Sequence, residues 1–179
     1  MKKTFTKFFI IILNLYSMSI YSENLTQDKD KIVLPAANSM TFAIIKPDAV
    51  ESKKAGQIIT AIELNGFEIV RIEKRQLTVE EAKEFYIEHK GKSFYGSLVE
   101  TMTSGDVYLL ALRIEGPDAV KKWRTLIGST NPAVAEFGTI RKMFAKSGSE
   151  NAVHGSDSDA SAQRELKFFF EDLLPKKIK

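Results

Sequence analysis

The run Asn-Ala-Val-His-Gly-Ser-Asp-Ser at residues 151–158 contains a histidine whose surroundings could support chemistry. His154 stands where a short apolar run meets a small, polar turn, and Glu165 follows seven positions after Ser158 on a predicted helix. An imidazole is largely unprotonated near neutral pH and can act as a nucleophile, while a carboxylate can fix its tautomer. Taken alone, such a histidine is more often a loop or core residue than a catalytic one, so a catalytic role needs support from other residues of the chain.

Basic and polar side chains fall at the ends of several predicted elements and together could bind a polyphosphate. They are Lys46, Arg124, Thr130, Arg141 and Asn151. A guanidinium group matches phosphate oxygens bidentately, and a lysine and a hydroxyl complete a typical phosphate-binding set. The chain has no GxxxxGK[ST] loop and no kinase-type glycine loop, so side chains must build such a site. Each cation considered singly is more often a solvated surface charge.

Composition excludes several other chemistries. The chain has no cysteine, which excludes disulfides, thiolate zinc sites, a cysteine nucleophile and an acylated lipoprotein cysteine, and two histidines are too few for a histidine-rich metal site. The net charge of +3 equals the three lysines of residues 1–22, which include no acidic residue, so the remainder is neutral. The overall charge therefore gives no argument for nucleic-acid binding.

The apolar periodicity predicts alternating strands and helices that would position these side chains. Strands are predicted over 41–45, 67–75 and 107–114, with a fourth ending at His154. Helices are predicted over 55–65, 78–89, 95–102 and 119–127 and from residue 158, with a helical turn over 139–144. The sequence Thr78-Val79-Glu80-Glu81 is a capping box. This order predicts an α+β fold, a ferredoxin-like antiparallel four-stranded sheet covered by helices on one face.

The chain ends differ in composition from the predicted domain, which spans residues 40–175. Residues 1–22 place basic residues before a short apolar run, which predicts a signal peptide and a periplasmic or secreted product, with no membrane span. Residues 23–39 are polar and unpatterned, as in a flexible linker, and residues 176–179 form a basic tail. The alternative is that Met40 is the true start and the product is cytoplasmic.

Three segments carry a resemblance to a known family. Between Met40 and about Pro175 the chain contains, in this order, TFAIIKPDAV, GSTNPA with GTIR, and NAVHGSDS. These segments and their order resemble the nucleoside diphosphate kinase family. NAVHGSDS is highly specific to that family. The resemblance implies that His154 is a nucleophile that forms a pros-phosphohistidine. In a ping-pong mechanism it would take the γ-phosphoryl of a nucleoside triphosphate such as ATP and pass it to a nucleoside diphosphate.

The resemblance also implies roles for other residues. The family's phosphate and sugar ligands match Lys46, which would also be catalytic, and Arg124, Thr130, Arg141 and Asn151. Tyr86 would lie beside the catalytic lysine, and Phe94 would stack on the base. Ser156 and Glu165 would orient the histidine. The resemblance further implies Mg²⁺ on the nucleotide phosphates and a homo-oligomer, either a tetramer or a hexamer. From the residues alone, Phe94 could equally pack in the core, and Glu165 could face solvent.

Some positions depart from the family pattern. Ser93 precedes Phe94 where the family usually has proline, and Phe137 replaces a proline in a loop that contacts other subunits, which weakens the expectation of a hexamer. Neither change touches His154 or its phosphate ligands. An alternative is a catalytically weak regulatory nucleotide-binding or phosphohistidine-donor protein, although such a protein would be free to lose His154 or Lys46. Stable nucleic-acid binding by the sheet is disfavoured because the aromatic and basic pattern of RNA-binding sheets is missing.

Overall fold

The computed structural model describes residues 39–174, so the predicted signal peptide, nearly all of the linker and the basic tail lie outside the described residues. The elements follow in the order β1 Met40–Ile45, α1 Pro47–Glu51, α2 Ala55–Leu64, β2 Glu68–Gln76, α3 Val79–Phe85, α4 Tyr95–Thr103, β3 Asp106–Arg113, α5 Ala119–Ile127, α6 Ile140–Phe144, β4 Val153–Gly155 and α7 Asp159–Phe170. Two 3₁₀ turns, Ile87–His89 and Glu171–Leu173, follow α3 and α7.

The strands form a four-stranded sheet in the order β2-β3-β1-β4. All three pairings are antiparallel, so the predicted ferredoxin-like α+β architecture is confirmed. β4 is short and lies against the end of β1, with His154 opposite Ile44. This pairing brings His154 close to the end of β1. Lys46 is the next residue in the chain after that strand.

Helices cover both faces of the sheet, so the prediction of helices on one face is wrong. Alternate residues of β1 enter two separate cores: Phe42 and Ile44 pack with residues of α3, α4 and α7, whereas Ala43 and Ile45 pack with residues of α2, α5 and α6. The physical reason is visible in β3, which is apolar at consecutive positions rather than at alternate ones. A continuous apolar strand is buried on both faces and therefore needs two layers of helices.

Local signals set most of the element boundaries. The predicted capping box is present: Glu81 N donates to Thr78 Oγ1 (3.1 Å), and Thr78 N donates to Glu81 Oε2 (2.9 Å). Helix α3 ends at Phe85 rather than continuing to His89, which lies in the 3₁₀ turn. Helix α1 was not predicted from the sequence. Proline at the first position of a helix needs no N–H partner, so Pro47 begins a helix as well as ending a strand.

Helix α7 connects the core to the functional site. Ser158 caps its first turn, with Ser161 N donating to Ser158 Oγ (3.1 Å). Leu166 and Phe170 are four positions apart, so they lie on one face of the helix, and both pack in the core with Phe42 of β1. Glu165 lies on the same helix and is only 2% exposed. A glutamate buried to this degree needs hydrogen-bond donors around it.

Candidate active site

His154 is held between β1 and α5 by backbone and tryptophan contacts. Its neighbour Gly155 pairs with Ala43, and a Cβ atom at position 155 would collide with the indole of Trp123. The same indole Nε1 donates to the backbone oxygen of His154 (3.3 Å). The glycine of the NAVHGSDS segment is therefore required by close packing of the strand on α5.

A buried carboxylate orients the His154 ring. His154 Nε2 lies 3.0 Å from Glu165 Oε2, and Ser156 Oγ donates to the same oxygen over 2.8 Å. An ionised carboxylate only accepts hydrogen bonds, so Nε2 must carry the ring hydrogen in this pair. Nδ1 therefore keeps its lone pair, which is the requirement for a nucleophile. The structure thus brings together the three residues His154, Ser156 and Glu165.

Aromatic rings enclose the other sides of the imidazole. The ring of Phe85 lies 5.3 Å from that of His154, and the ring of Tyr86 lies 5.9 Å away, both in edge-on arrangements. The His154 side chain is still 19% exposed, so one side stays open to a ligand. Burial, with a smaller contribution from Glu165, raises the pKa of Tyr86, so its hydroxyl stays neutral.

Lys46 is a buried cation that shares contacts with Asn151. Its Nζ donates to Asn151 Oδ1 (3.0 Å) and to the backbone oxygen of Ser149 (3.2 Å). An ammonium has three N–H groups, so one remains for a ligand. Burial lowers the pKa of Lys46 from 10.5 to about 8, while Asp48 acts to raise this pKa and Arg141 to lower it. A bound anion would offset the cost of burying this charge.

Arg141 and Arg124 form a second centre of positive charge. Arg141 Nη1 donates to Gly128 O (2.8 Å) and Nη2 to Val153 O (3.1 Å), which fixes the guanidinium beside β4. Its buried Nε has no hydrogen-bond partner among the described residues. Burial, together with repulsion from Arg124, lowers the pKa of Arg141 to about 10. Two mutually repelling guanidinium groups favour a bound anion between or beside them.

Two predicted ligands have exposed side chains. Thr130 is exposed in the loop that follows α5. Phe94 is 49% exposed at the start of α4, and its ring lies 5.5 Å from that of His89. The His89 ring in turn stacks 6.1 Å from Tyr86, next to His154. A line of rings therefore runs from His154 to an exposed phenylalanine, which suits stacking against a flat group.

Asp48 and the strained residue Ala152 were not predicted as part of the site. Asp48 is buried, and its Oδ2 accepts a hydrogen bond from Ala152 N (3.0 Å). Ala152 has φ of +64°, a conformation that residues other than glycine rarely adopt. The only local signal for Asp48 is a carboxylate two residues after the predicted phosphate-binding Lys46.

The site combines an unprotonated ring nitrogen with fixed cations and lacks a protein cage for a metal. Among residues 39–174, no group of three His, Asp or Glu side chains could hold a metal ion. No helix within the same range is long and apolar enough to cross a membrane. A nucleophilic nitrogen beside lysine and arginine groups is suited to phosphoryl transfer, in which positioning and charge stabilisation dominate. The chemistry of the site is thus that of a phosphotransferase.

Comparison with known proteins supports this class. A family model described as nucleoside diphosphate kinase matches residues 39–173. A nucleoside diphosphate kinase from Campylobacter fetus is 53% identical over 130 residues, covering 73% of this chain and 93% of the relative. The Aquifex aeolicus nucleoside diphosphate kinase structure has a TM-score of 0.70 and 39% identity, covering 74% of this chain and 94% of the other.

A second structural neighbour is a halophilic nucleoside diphosphate kinase from Halobacterium salinarum in complex with CDP. It has a TM-score of 0.72 and 33% identity, and covers 79% of this chain and 94% of the other. The chain therefore belongs to the nucleoside diphosphate kinase family. The predicted family and the prediction of a phosphotransferase enzyme are both confirmed.

Proposed function

We propose that the chain exchanges γ-phosphoryl groups between nucleoside triphosphates, such as ATP, and nucleoside diphosphates through a phosphohistidine at His154. In the first half-reaction, Nδ1 attacks the γ-phosphorus, and the bond to the bridging oxygen breaks with its electron pair leaving on the diphosphate. In the second, a terminal oxygen of another diphosphate attacks the phosphorus, and the N–P electron pair returns to Nδ1. The contact of 3.0 Å between His154 Nε2 and Glu165 carries this proposal, because it leaves Nδ1 free.

The cations neutralise the charge that moves during transfer. Lys46 has a buried ammonium group with one N–H still available for a ligand. This N–H is suited to the oxygens of the phosphoryl group that is transferred. Arg124 and Arg141 lie close enough to repel each other, which favours phosphate oxygens beside them. Asn151 holds Lys46 in place and can also orient the sugar, and Thr130 can donate its hydroxyl to a phosphate oxygen.

A magnesium ion fits this site as a partner of the nucleotide. Because the described residues form no three-ligand cluster, the ion's ligands would be phosphate oxygens and water, as Mg²⁺ commonly prefers. When bound, it supplies further neutralisation of the phosphate charge. The protein side chains then bind and orient the phosphates without coordinating the ion as a group.

The aromatic residues bind the nucleoside without selecting among bases. Phe94 presents a half-exposed ring, and stacking on it is worth about 1–3 kcal/mol for any base. Tyr86 closes the inner end of the line of rings beside the nucleophile. The CDP bound in the Halobacterium salinarum relative supports a pyrimidine nucleotide as one ligand of this site.

Labelling with ATP that carries a labelled γ-phosphoryl tests this function. The wild-type protein should become labelled in a bond that acid breaks and alkali does not, because a phosphohistidine behaves in this way. His154→Ala should lose the label and the exchange activity, whereas the matched variant His89→Ala should still be labelled. Exchange activity that survives in His154→Ala would sink the proposal.

The loop between α5 and α6 supports a homo-oligomer, either a tetramer or a hexamer. In this loop Val134 is 68% exposed and Phe137 is 91% exposed, and Met143 of α6 adds a third exposed apolar side chain. Lys142 Nζ donates to Pro132 O (3.2 Å) and stands 5.1 Å over the Phe137 ring, which holds the loop in one shape. Exposed apolar residues on a fixed loop favour contact with another subunit.

Export remains a proposal based on the composition of residues 1–22. If these residues are removed as a signal peptide, the mature chain begins near residue 20 or 23, in a periplasmic or extracellular space. Sequencing the amino terminus of the protein from its native host tests this. A product that begins at Met1 or Met40 would contradict export and place the enzyme in the cytoplasm.

A further inference from the structure

We propose that Asp48 is a positioning residue for phosphoryl transfer: its carboxylate holds the backbone turn at Ala152 and so sets where the His154 ring stands relative to the Lys46 ammonium. The inference rests on the proposed function and adds a residue that does not touch the nucleotide. It is carried by contacts between two segments that are 104 residues apart in the chain.

Two hydrogen bonds join the end of β1 to the segment before His154. The backbone N–H of Lys46 donates to Ala152 O (2.9 Å), and the backbone N–H of Ala152 donates to Asp48 Oδ2 (3.0 Å). Lys46 and Asp48 are two residues apart, so both bonds originate in the same short segment. One bond fixes the C=O of Ala152 and the other fixes its N–H, and His154 follows two residues later on β4.

The turn that Asp48 holds is strained. Val153 N donates to Asn151 O over 2.7 Å, an i to i+2 hydrogen bond that defines a γ-turn with Ala152 at its centre. Ala152 has φ of +64°, and this form of the γ-turn is rare because a side chain crowds the backbone. Such a conformation persists only where the surroundings enforce it. The hydrogen bond from Ala152 N to the carboxylate of Asp48 is one of the contacts that enforce it.

The second oxygen of the carboxylate keeps its charge available to Lys46. Asp48 Oδ1 is buried and has no hydrogen-bond partner among the described residues. Asp48 acts to raise the pKa of Lys46, against burial and the nearby charge of Arg141, which both lower it. The carboxylate therefore serves both the nucleophile, through the turn, and the lysine, through its charge.

The experiment compares Asp48→Ala, Asp48→Asn and the control Asp172→Ala, which removes a carboxylate that is exposed and paired only with Arg71 among the described residues. Single-turnover formation of the phosphoenzyme should slow by about tenfold to a hundredfold in Asp48→Ala, the usual effect of misplacing a reacting group. The KM for ATP should change less than this rate. Asp48→Asn should recover part of the rate, because its amide oxygen can still accept from Ala152 N.

The pH profile separates positioning from a merely structural role. Both Asp48 variants lose the negative charge beside Lys46, so the alkaline fall in kcat/KM should move to lower pH, while Asp172→Ala should keep the wild-type profile. Unchanged rates and profiles in Asp48→Ala would overturn the inference. A loss of rate that only follows the unfolded fraction, measured by thermal melting, would overturn it as well.

Amide hydrogen exchange at Ala152 gives a readout that does not depend on activity. The Ala152 N–H should exchange slowly in the wild-type protein and faster in Asp48→Ala, with Asp48→Asn between them. If the wild-type protein forms no phosphoenzyme, the proposed function fails and the exchange result still tests the bond. If the wild-type protein is labelled and Asp48→Ala matches it in rate and exchange, only this inference fails.

Discussion

At the residue scale, the proposed phosphoryl transfer depends on one nitrogen atom of His154. The imidazole stands among Phe85, Tyr86 and Glu165, and only the carboxylate bonds to its ring among the described side chains. Because Glu165 holds Nε2, the proposed chemistry takes place at Nδ1. Because Lys46 and Glu165 are buried and the His154 side chain is only 19% exposed, the hydrogen bonds and charges of these groups act more strongly than they would in solvent.

Replacing Glu165 should separate orientation from nucleotide binding. In Glu165→Gln, the amide can turn its NH₂ group toward Nε2 and favour the wrong tautomer, so phosphoenzyme formation should fall by about a hundredfold. Rapid-quench kinetics measures this rate, and NMR of the ring nitrogens reports the tautomer. Glu171→Gln, an exposed glutamate just beyond the same helix, should behave as the wild type. An unchanged rate in Glu165→Gln would remove the orienting role.

The pKa of Lys46 predicts an alkaline limit to activity. Burial lowers this pKa to about 8, so the charged form that binds phosphate is present below that pH and is lost as the pH rises through it. The ratio kcat/KM, which reports the free enzyme, should therefore fall above about pH 8. Bound nucleotide adds negative charge beside Lys46, so the fall in kcat should lie at higher pH.

Substitution identifies the group responsible for that limit. Lys46→Arg keeps a positive charge across this range and should move the fall in kcat/KM well above pH 8, at some cost in absolute rate. Lys83→Met, which changes an exposed lysine of α3, should leave the profile unchanged. A fall at the same pH that persists in Lys46→Arg would assign the limit to another group.

At the element scale, close packing of β4 on α5 supports the histidine. A side chain at position 155 would collide with Trp123, whereas a Cβ atom at Gly56 of α2 would meet nothing within 4 Å. Gly155→Ala should therefore lower the free energy of unfolding by about 1–3 kcal/mol, as overpacking does. Gly56→Ala should instead raise it by up to about 1 kcal/mol.

Urea denaturation of the two glycine variants tests this difference. Gly155→Ala should have its midpoint at a lower urea concentration than the wild type, and Gly56→Ala at a higher one. Equal midpoints for Gly155→Ala and the wild type would show that the strand can move away from Trp123 without cost.

The elements also show what the sequence can and cannot predict. Apolar runs and the capping box at Thr78 predicted the strands and most helices, because these signals act over a few residues. The sequence prediction placed helices on one face of the sheet only, although the consecutive apolar residues of β3 indicate a strand that is buried on both faces. The bonds of Asp48 to Ala152 and of Lys46 to Asn151 span 104 and 105 residues, so no local pattern predicts them. The resemblance to a family predicted Lys46 and Asn151 but not Asp48.

At the scale of the whole molecule, the two cores place the site at the edge of the sheet where β4 meets β1. Helices from the first core supply Glu165, Phe85 and Tyr86, and the second core supplies Trp123. The site therefore forms only when both layers are assembled, so loss of either core should remove activity together with structure. The exposed loop between α5 and α6 is the surface that we propose for contact between subunits.

Phe137→Asp tests that surface. A charge on this loop should weaken the contact between subunits, so light scattering after size-exclusion chromatography should give a lower mass than for the wild type. The comparison variant is Leu64→Asp, which changes an apolar residue that is also largely exposed but lies at the end of α2. Dissociation by Leu64→Asp and not by Phe137→Asp would place the subunit contact elsewhere.

The central claim is that His154 carries the phosphoryl group from donor to acceptor, and a chase of the isolated phosphoenzyme tests it most directly. The protein is labelled with ATP, freed of nucleotide and mixed with an unlabelled diphosphate such as GDP or CDP. We expect the label to leave the protein and to appear in the corresponding triphosphate, with one phosphoryl group gained there for each one that the protein loses. Label that stays on the protein, or that appears only as free phosphate, would contradict it.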